Sequence, residues 1–271
     1  MKKNFEEGDV SSTLTTCNIC GEKTQKILEL FGRSMRVKVL CSCKKKELKE
    51  QEIREKEEEK RDRLKILLKN SLMERSFYDK TFENWDFKKG DKRFYNLGLK
   101  YAENFKKIKE EGLGLLITGS VGNGKSYLSF AIANSLLKKG VPVVCISING
   151  LLERIRETYN SWGREGEYEI LKSIEAADLL VIDDLGTEQG TEWSLSKIYT
   201  ILDSRYRKKL PTIVTSNYSL GQLKERYGER IVDRLIEMCI NIENKNPSIR
   251  KIKAEENKEK LREMLGYNYK G

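Results

Sequence analysis

Residues 119–126 read Gly-Ser-Val-Gly-Asn-Gly-Lys-Ser, the pattern G-x-x-x-x-G-K-[ST]. Gly119, Gly122 and Gly124 let the backbone turn tightly and bring its N–H groups up to an anion. Lys125 sets a positive charge at the β- and γ-phosphates of a nucleotide, and Ser126 offers a hydroxyl to Mg²⁺. The apolar run Leu113–Thr118 enters the loop as a strand would. A helical pattern from Tyr127 to Lys138 leaves it, and the N-terminus of that helix adds partial positive charge. A chance glycine-rich turn would lack this context. Gly119, Ser120, Val121, Gly122, Asn123, Gly124, Lys125, Ser126 and Tyr127 are therefore the expected ATP-binding set.

From Leu113 onward, short apolar runs alternate with helical segments. Strands are expected at Leu113–Thr118, Val141–Ile148, Leu179–Asp183, Thr212–Thr215 and Cys239–Ile242. Apolar runs without polar alternation are buried on both faces, which implies an α/β fold with a parallel sheet between helices.

Leu179-Leu180-Val181-Ile182-Asp183-Asp184 is an apolar strand ending in two carboxylates. It is expected beside the phosphate loop, on the adjoining β-element, with its tip at the sheet edge where α/β proteins bind ligands. Asp183 would hold the magnesium shell and Asp184 would orient or deprotonate a water. The next strand ends Thr215-Ser216-Asn217, and Asn217 suits a sensor of the terminal phosphate. The other reading makes Asn217 and Ser219 caps of the following helix. In Gly228–Leu235, Arg230 and Arg234 stand four apart on one helix face. They are either solvated or ion-paired, or one of them reaches a neighbouring subunit's phosphate.

Four of the six cysteines lie early, as Cys17-x-x-Cys20 and Cys41-x-Cys43. Two tight pairs of this kind make a Cys₄ tetrahedron for Zn²⁺, with Gly21 freeing the knuckle and Arg36, Lys38 and Lys44 to Lys46 offsetting the thiolate charge. Disulfides fit poorly beside a cytosolic nucleotide site. Cys145 and Cys239 sit in apolar surroundings and are expected in the core. The chain has no histidine, which excludes histidine catalysis and histidine metal ligands.

Residues 1–16 are polar and expected to be mobile. Lys44 to Asn70 is nearly all Lys, Arg and Glu, with charges three and four apart that support a helix. It is either a solvated spacer or, through Leu64, Leu67 and Leu68, a partner-binding helix. The organisation expected is residues 1–43 as a zinc module, 44–74 as a charged helical linker and 75–271 as the nucleotide-binding domain. The net charge of +10 is concentrated in residues 1–70 and in the tail from Asn244, whereas residues 111–243 are slightly acidic. A nucleic-acid partner and a solvated surface both fit this pattern. The opening Met-Lys-Lys-Asn-Phe-Glu-Glu has no apolar segment, and no run approaches the ~18 residues of a membrane span. No membrane partner and a cytoplasmic location are expected.

Taken in order, the cysteine module, Thr81-Phe82-Glu83-Asn84-Trp85, the phosphate loop, Val181-Ile182-Asp183-Asp184-Leu185-Gly186, Thr215-Ser216-Asn217 and Glu229–Leu235 resemble the DnaC/DnaI-type replicative helicase loaders, including phage-encoded members, within the IstB-like AAA+ ATPases. The resemblance covers about residues 75–255 well, and the cysteine module is similar to that of the DnaI type. It implies an AAA+ core with a truncated C-terminal lid, Asn217 as first sensor, Arg234 as arginine finger and Arg250, in Pro247-Ser248-Ile249-Arg250, as second sensor. Asp184 stands at the family's Asp-[Asp/Glu] position, where the shorter side chain implies slow hydrolysis. Thr81–Asn84 looks like the stretch that packs near the adenine, or it is an aromatic core anchor.

Tyr159 and Trp193 fall near the family's DNA-contacting positions, where base stacking is worth ~1–3 kcal/mol per base; packing on the domain is the other reading. Lys197 and Arg205 are candidate phosphate contacts. The resemblance implies an ATPase that delivers a hexameric replicative helicase onto single-stranded DNA and assembles into an ATP-dependent oligomer. An IstB-type transposition helper and a non-hydrolysing, ATP-switched DNA-binding adaptor are the alternatives.

Overall fold

The structure, a computed structural model, describes residues 14–30, 32–70, 75–161 and 163–266 of the 271-residue chain. Contacts divide the chain into two compact units, Met1–Asp62 and Arg63–Gly271.

The first unit carries strands β1 (Gln25–Leu30) and β2 (Arg33–Lys38), an antiparallel hairpin pairing Gln25 with Lys38 and Leu28 with Met35. Helix α1 (Ser42–Asn70) starts in this unit and contains the boundary between the two units. The helix expected from the Lys/Glu spacing is thus present. The side chains of Leu64, Leu67 and Leu68 lie outside the described residues, as do residues 1–13.

The second unit begins with three helices, α2 (Arg75–Tyr78), α3 (Lys92–Glu103) and α4 (Phe105–Glu111). Strand β3 (Gly114–Gly119) then runs into the phosphate loop, and α5 (Lys125–Lys138) leaves it. The chain continues through β4 (Val143–Ser147), α6 (Ile148–Ser161), α7 (Gly163–Ala176), β5 (Leu179–Leu185), α8 (Glu192–Arg207) and β6 (Thr212–Ser216). It closes with α9 (Leu220–Tyr227), α10 (Glu229–Met238), β7 (Cys239–Asn244) and α11 (Ile249–Leu265).

The five strands form one parallel sheet in the order β4-β5-β6-β3-β7. All five expected strands are present. Their side chains alternate between two cores, as a period of two requires. Leu116, Val144, Ile146, Leu180, Ile182 and Val214 join one cluster with α6 to α10. Leu115, Ile117, Val143, Cys145, Leu179, Val181 and Ile213 join the other with α3 and α5. Being buried on both faces explains why these strands read as unbroken apolar runs.

One expectation is corrected. The Asp-Asp strand β5 does not adjoin the loop strand β3, because β6 lies between them. The sheet order reverses at β3, which places the loop at a switch point, and the tips of β3, β6 and β5 share one edge.

Arg205 is corrected too. It is fully buried and donates to the carbonyls of Ile174, Ala177 and Pro211 and to the Thr212 hydroxyl, so it holds α7, α8 and β6 together and is closed to DNA. Cys145 and Cys239 are buried as expected. Among the described residues after β7, α11 is the one helix, and none of its residues is buried. Among the described residues no helix is long and apolar enough to cross a membrane.

Candidate nucleotide site and cysteine cluster

The loop from Gly119 to Gly124 is built on backbone that side chains resist. Gly119 has φ +140° and Gly122 φ +79°. A Cβ on Gly119 would stand 2.2 Å from the Asn244 carbonyl oxygen, and one on Gly122 would stand 2.5 Å from Ser248 Oγ. Both glycines are therefore required by conformation and by space.

The residues that crowd them belong to the segment after β7, which is laced to the loop. Asn123 donates its amide to the Asn244 carbonyl at 2.7 Å, Asn244 donates to the Asn123 carbonyl at 2.9 Å, and the Ile249 N–H donates to the Gly122 carbonyl at 2.8 Å. Both asparagines are buried. The lacing seats Arg250 in the wall of the loop cavity, near Lys125. Nothing in the sequence alone pairs residues so far apart.

Lys125 is buried, and its ammonium donates to the carbonyls of Gly119 (2.9 Å) and Ser120 (2.8 Å) and to Asn217 Oδ1 (2.8 Å). Burial pushes its pKa down, while the charges of Asp184 and Asp183 work against that. Val121 is exposed at the loop tip. Tyr127 donates its hydroxyl to the Thr81 carbonyl at 3.1 Å.

At the tip of β5, Asp183 is buried and accepts from Thr215 Oγ1 at 2.6 Å. Burial raises its pKa; hydrogen bonds from Thr215 and Ser126 lower it, while the nearby Asp184 charge raises it. Ser126 and Asp183, the expected magnesium ligands, therefore stand together. The Asp184 N–H donates to the same Thr215 hydroxyl at 2.9 Å, and Asp184 has φ +56° in a left-handed conformation rare outside glycine. The pairing of β5 with β6 shifts register between Ile182 and Leu185, which turns Asp184 out of the ladder. Asn217 Nδ2 lies 3.5 Å from Asp184 Oδ1. Thr215 thus ties the Asp183 carboxylate to the Asp184 backbone, a role with no local signal in the sequence.

The cap and sensor readings now separate. Ser219 forms a full capping box with Gln222, while Asn217 turns to Lys125.

Two adjoining cavities meet at the loop. One, of about 190 Å³, is walled by Lys80, Lys125, Ser126, Asp184, Asn217 and Arg250. The other, of about 90 Å³, is walled by Asn84, Trp85, Phe94, Tyr127 and Ile249, among others. The stretch Thr81–Asn84 divides accordingly. Asn84 reaches the second cavity, whereas Phe82 is a core residue packed with Tyr95. Positive-φ glycines, a buried ammonium and a Ser–Asp pair suit a triphosphate with a divalent cation, and the cavity beside them, walled by Trp85, Phe94 and Tyr127, suits a base.

Arg234 is outside both cavities. It pairs with Asp203 (2.8 Å), and its guanidinium lies 4.9 Å from the centre of the Tyr199 ring, where Arg230 also stacks at 4.8 Å. Tyr159 and Trp193 meet edge to face at 6.4 Å with Arg156 over the indole at 4.8 Å, and Tyr159 is exposed. Lys197 and Tyr159 both bond Glu167.

In the first unit the Sγ atoms of Cys17, Cys20, Cys41 and Cys43 lie within 4.8 Å of one another, with no disulfide. The Gly21 N–H donates to the Cys17 carbonyl at 2.9 Å, closing the knuckle, and Cys43 stands in the first turn of α1. Hydrogen bonds from the Cys20 and Ile19 amides pull the Cys17 thiol down to about 6. Four sulfurs converging on one point fit a tetrahedral thiophilic metal.

Residues 43–257 match the family model described as IstB-like ATP binding protein. The chain is 31% identical over 156 residues to the replicative helicase loader DnaC of Buchnera aphidicola subsp. Baizongia pistaciae, covering 57% of this chain and 62% of that relative's length. A crystal structure of the DnaC helicase loader superposes with TM-score 0.55 at 26% identity, over 64% of this chain and all of the other. A crystal structure of DnaI gives TM-score 0.53 at 27% identity, over 66% of this chain and 94% of the other. With its parallel AAA+ sheet, its phosphate loop and these matches, the chain belongs to the IstB-like ATP-binding protein family.

Proposed function

We propose that this chain is an ATPase that loads a replicative helicase onto single-stranded DNA. The observation that carries the reading is the meeting of Lys125, Asn217, Ser126 and the Asp183–Thr215 pair at one sheet edge. The relatives named replicative helicase loaders give the direction of the work. ATP would sit with its base against Trp85 and Tyr127 and its phosphates on the loop amides and Lys125. Ser126 and Asp183 would hold Mg²⁺, which when bound neutralises charge on the phosphates. Asp184 and Asn217 orient the attacking water, and Arg250 covers the loop from the C-terminal segment.

Arg234 acts in trans, completing the site of the next subunit in an ATP-dependent oligomer. The Tyr159–Trp193 pair, with Arg156 beside it, offers rings for sequence-tolerant stacking of bases. The cysteine module of residues 1–43, holding Zn²⁺, and the charged helix of residues 44–74 grip the helicase, and residues 75–271 form the motor, all in the cytoplasm.

The test is co-purification of the full chain with the host's hexameric helicase in ATP. Deleting residues 1–70 should abolish the complex and leave nucleotide binding intact. A complex that survives the deletion contradicts this division of labour. A second reading, an ATP-switched adaptor without turnover, is favoured by Asp184, short and left-handed where a glutamate would reach further. A complete lack of DNA-stimulated phosphate release would select it.

A further inference from the structure

The cavity around Lys125 has two further lysines in its wall, Lys80 and Lys253, and Lys80 is the one confined to the charged cavity. Lys80 lies in the turn after α2, far upstream of the phosphate loop and outside every motif of the sequence. Two separate holds fix it. Asn134, buried on α5, donates its amide to the carbonyls of Phe77 and Lys80, each at 2.9 Å. The helix that leaves the phosphate loop therefore also pins the backbone of this turn. The Lys80 ammonium lies 4.4 Å from the centre of the Phe77 ring and 5.0 Å from that of Phe130, and these two rings stack at 4.1 Å. A cation over aromatic faces is stabilised by their quadrupoles, which helps to hold the ammonium in place.

The position of Lys80 along the site is informative. The two cavities share Gly124, Tyr127, Ile249 and Lys253. Trp85, Asn84 and Phe94 belong only to the aromatic one, and Lys80, Ser126, Asp184 and Asn217 only to the charged one. A nucleotide with its base at Trp85 and its chain of phosphates along the loop brings its last phosphate to the Asp184–Asn217 end. Lys80 stands at that end.

We propose that Lys80 is a phosphate-contacting residue acting in cis. It holds the terminal phosphate from the side opposite the loop and makes the site favour a nucleoside triphosphate over a diphosphate. The inference rests on the reading of the cavity as a nucleotide site.

The test compares binding of Mg²⁺ with ADP and with a slowly hydrolysed ATP analogue carrying a γ-thiophosphate, measured calorimetrically on the full chain. Lys80→Met keeps an aliphatic stem on the two rings and removes the charge. It should weaken the triphosphate about tenfold, the worth of one charge-assisted contact, and change ADP by less than about twofold. Lys80→Arg should restore most of the preference. If Lys80→Met does not fold, Lys80→Gln carries the same comparison. Equal loss for both nucleotides, or no loss for either while the wild type binds both, overturns the role of Lys80 alone. A wild-type chain that binds neither nucleotide overturns the site and this inference with it.

Discussion

Lys125 Nζ donates to Asn217 Oδ1 at 2.8 Å, so the phosphate-loop lysine and the tip of β6 are one hydrogen-bonded unit. Asn217 also stands 3.5 Å from Asp184 Oδ1, which places a single amide between the cation and the Asp184 carboxylate. Lys125 keeps the Gly119 and Ser120 carbonyls as acceptors without it. Asn217→Ala is therefore expected to slow ATP turnover by about 10²-fold, the usual cost of a lost polar group at developing charge, and to change ATP affinity less than about threefold. Steady-state phosphate release and calorimetry read the two effects separately. Equal losses in both would show that Asn217 only supports the loop.

Asp183 should trade stability for function. Burial raises its pKa in the folded chain. Between the unfolded carboxylate value near pH ~4 and that raised value, the folded chain holds the extra proton. Stability then falls as pH rises through the window, and the ionised carboxylate is a cost at neutral pH. Asp183→Asn removes that cost. In chelator at pH 7 it should melt above the wild type and show a flatter dependence of melting temperature on pH, while losing magnesium-dependent ATP binding. A variant that melts lower would mean that the carboxylate is needed by the fold.

Arg205 makes the opposite case. Its four hydrogen bonds satisfy three backbone carbonyls in a fully buried site, and burial pushes its pKa down to about 9. Arg205→Met removes the side-chain donor from those carbonyls in a buried site and should cost about 3–5 kcal/mol, read by denaturant unfolding. A loss of DNA binding without loss of stability would restore Arg205 as a surface contact.

How far the sequence carried depends on range. The phosphate loop, the paired carboxylates and Asn217 were legible because each sits at a strand tip, where local pattern fixes position. The cysteine pairs were legible because their spacing matches ligand geometry. What was hidden is long-range. That β6 separates β5 from β3 is a matter of strand order, which apolar runs do not encode. The Asn123–Asn244 exchange, the Lys80 turn pinned by Asn134 and the buried Arg205 each join residues that only the fold brings together. Arg205 looked like a surface cation because a single arginine in a helix carries no sign of which way it faces. Gly90 was equally unreadable: a Cβ there would stand 2.5 Å from Trp85 Nε1, a constraint set by packing alone.

The cysteine cluster predicts a metal-dependent first unit. Purified protein should carry about one equivalent of zinc by elemental analysis. Cys17→Ser with Cys20→Ser should release it and unfold that unit, because a site absent from the unfolded chain ties metal affinity to folding. Residues 63–271 form their own compact unit, so ATP binding should persist. Full zinc content in the double variant would contradict the ligand set.

The central claim is that a triphosphate and its magnesium are held between Lys125 and the Ser126–Asp183 pair. Calorimetric titration of the full chain with Mg²⁺ and ATP, beside the same titration of Lys125→Ala, tests it most directly. The account predicts one saturable site per chain in the wild type and no detectable binding in a folded Lys125→Ala. Unchanged binding in that variant would contradict it.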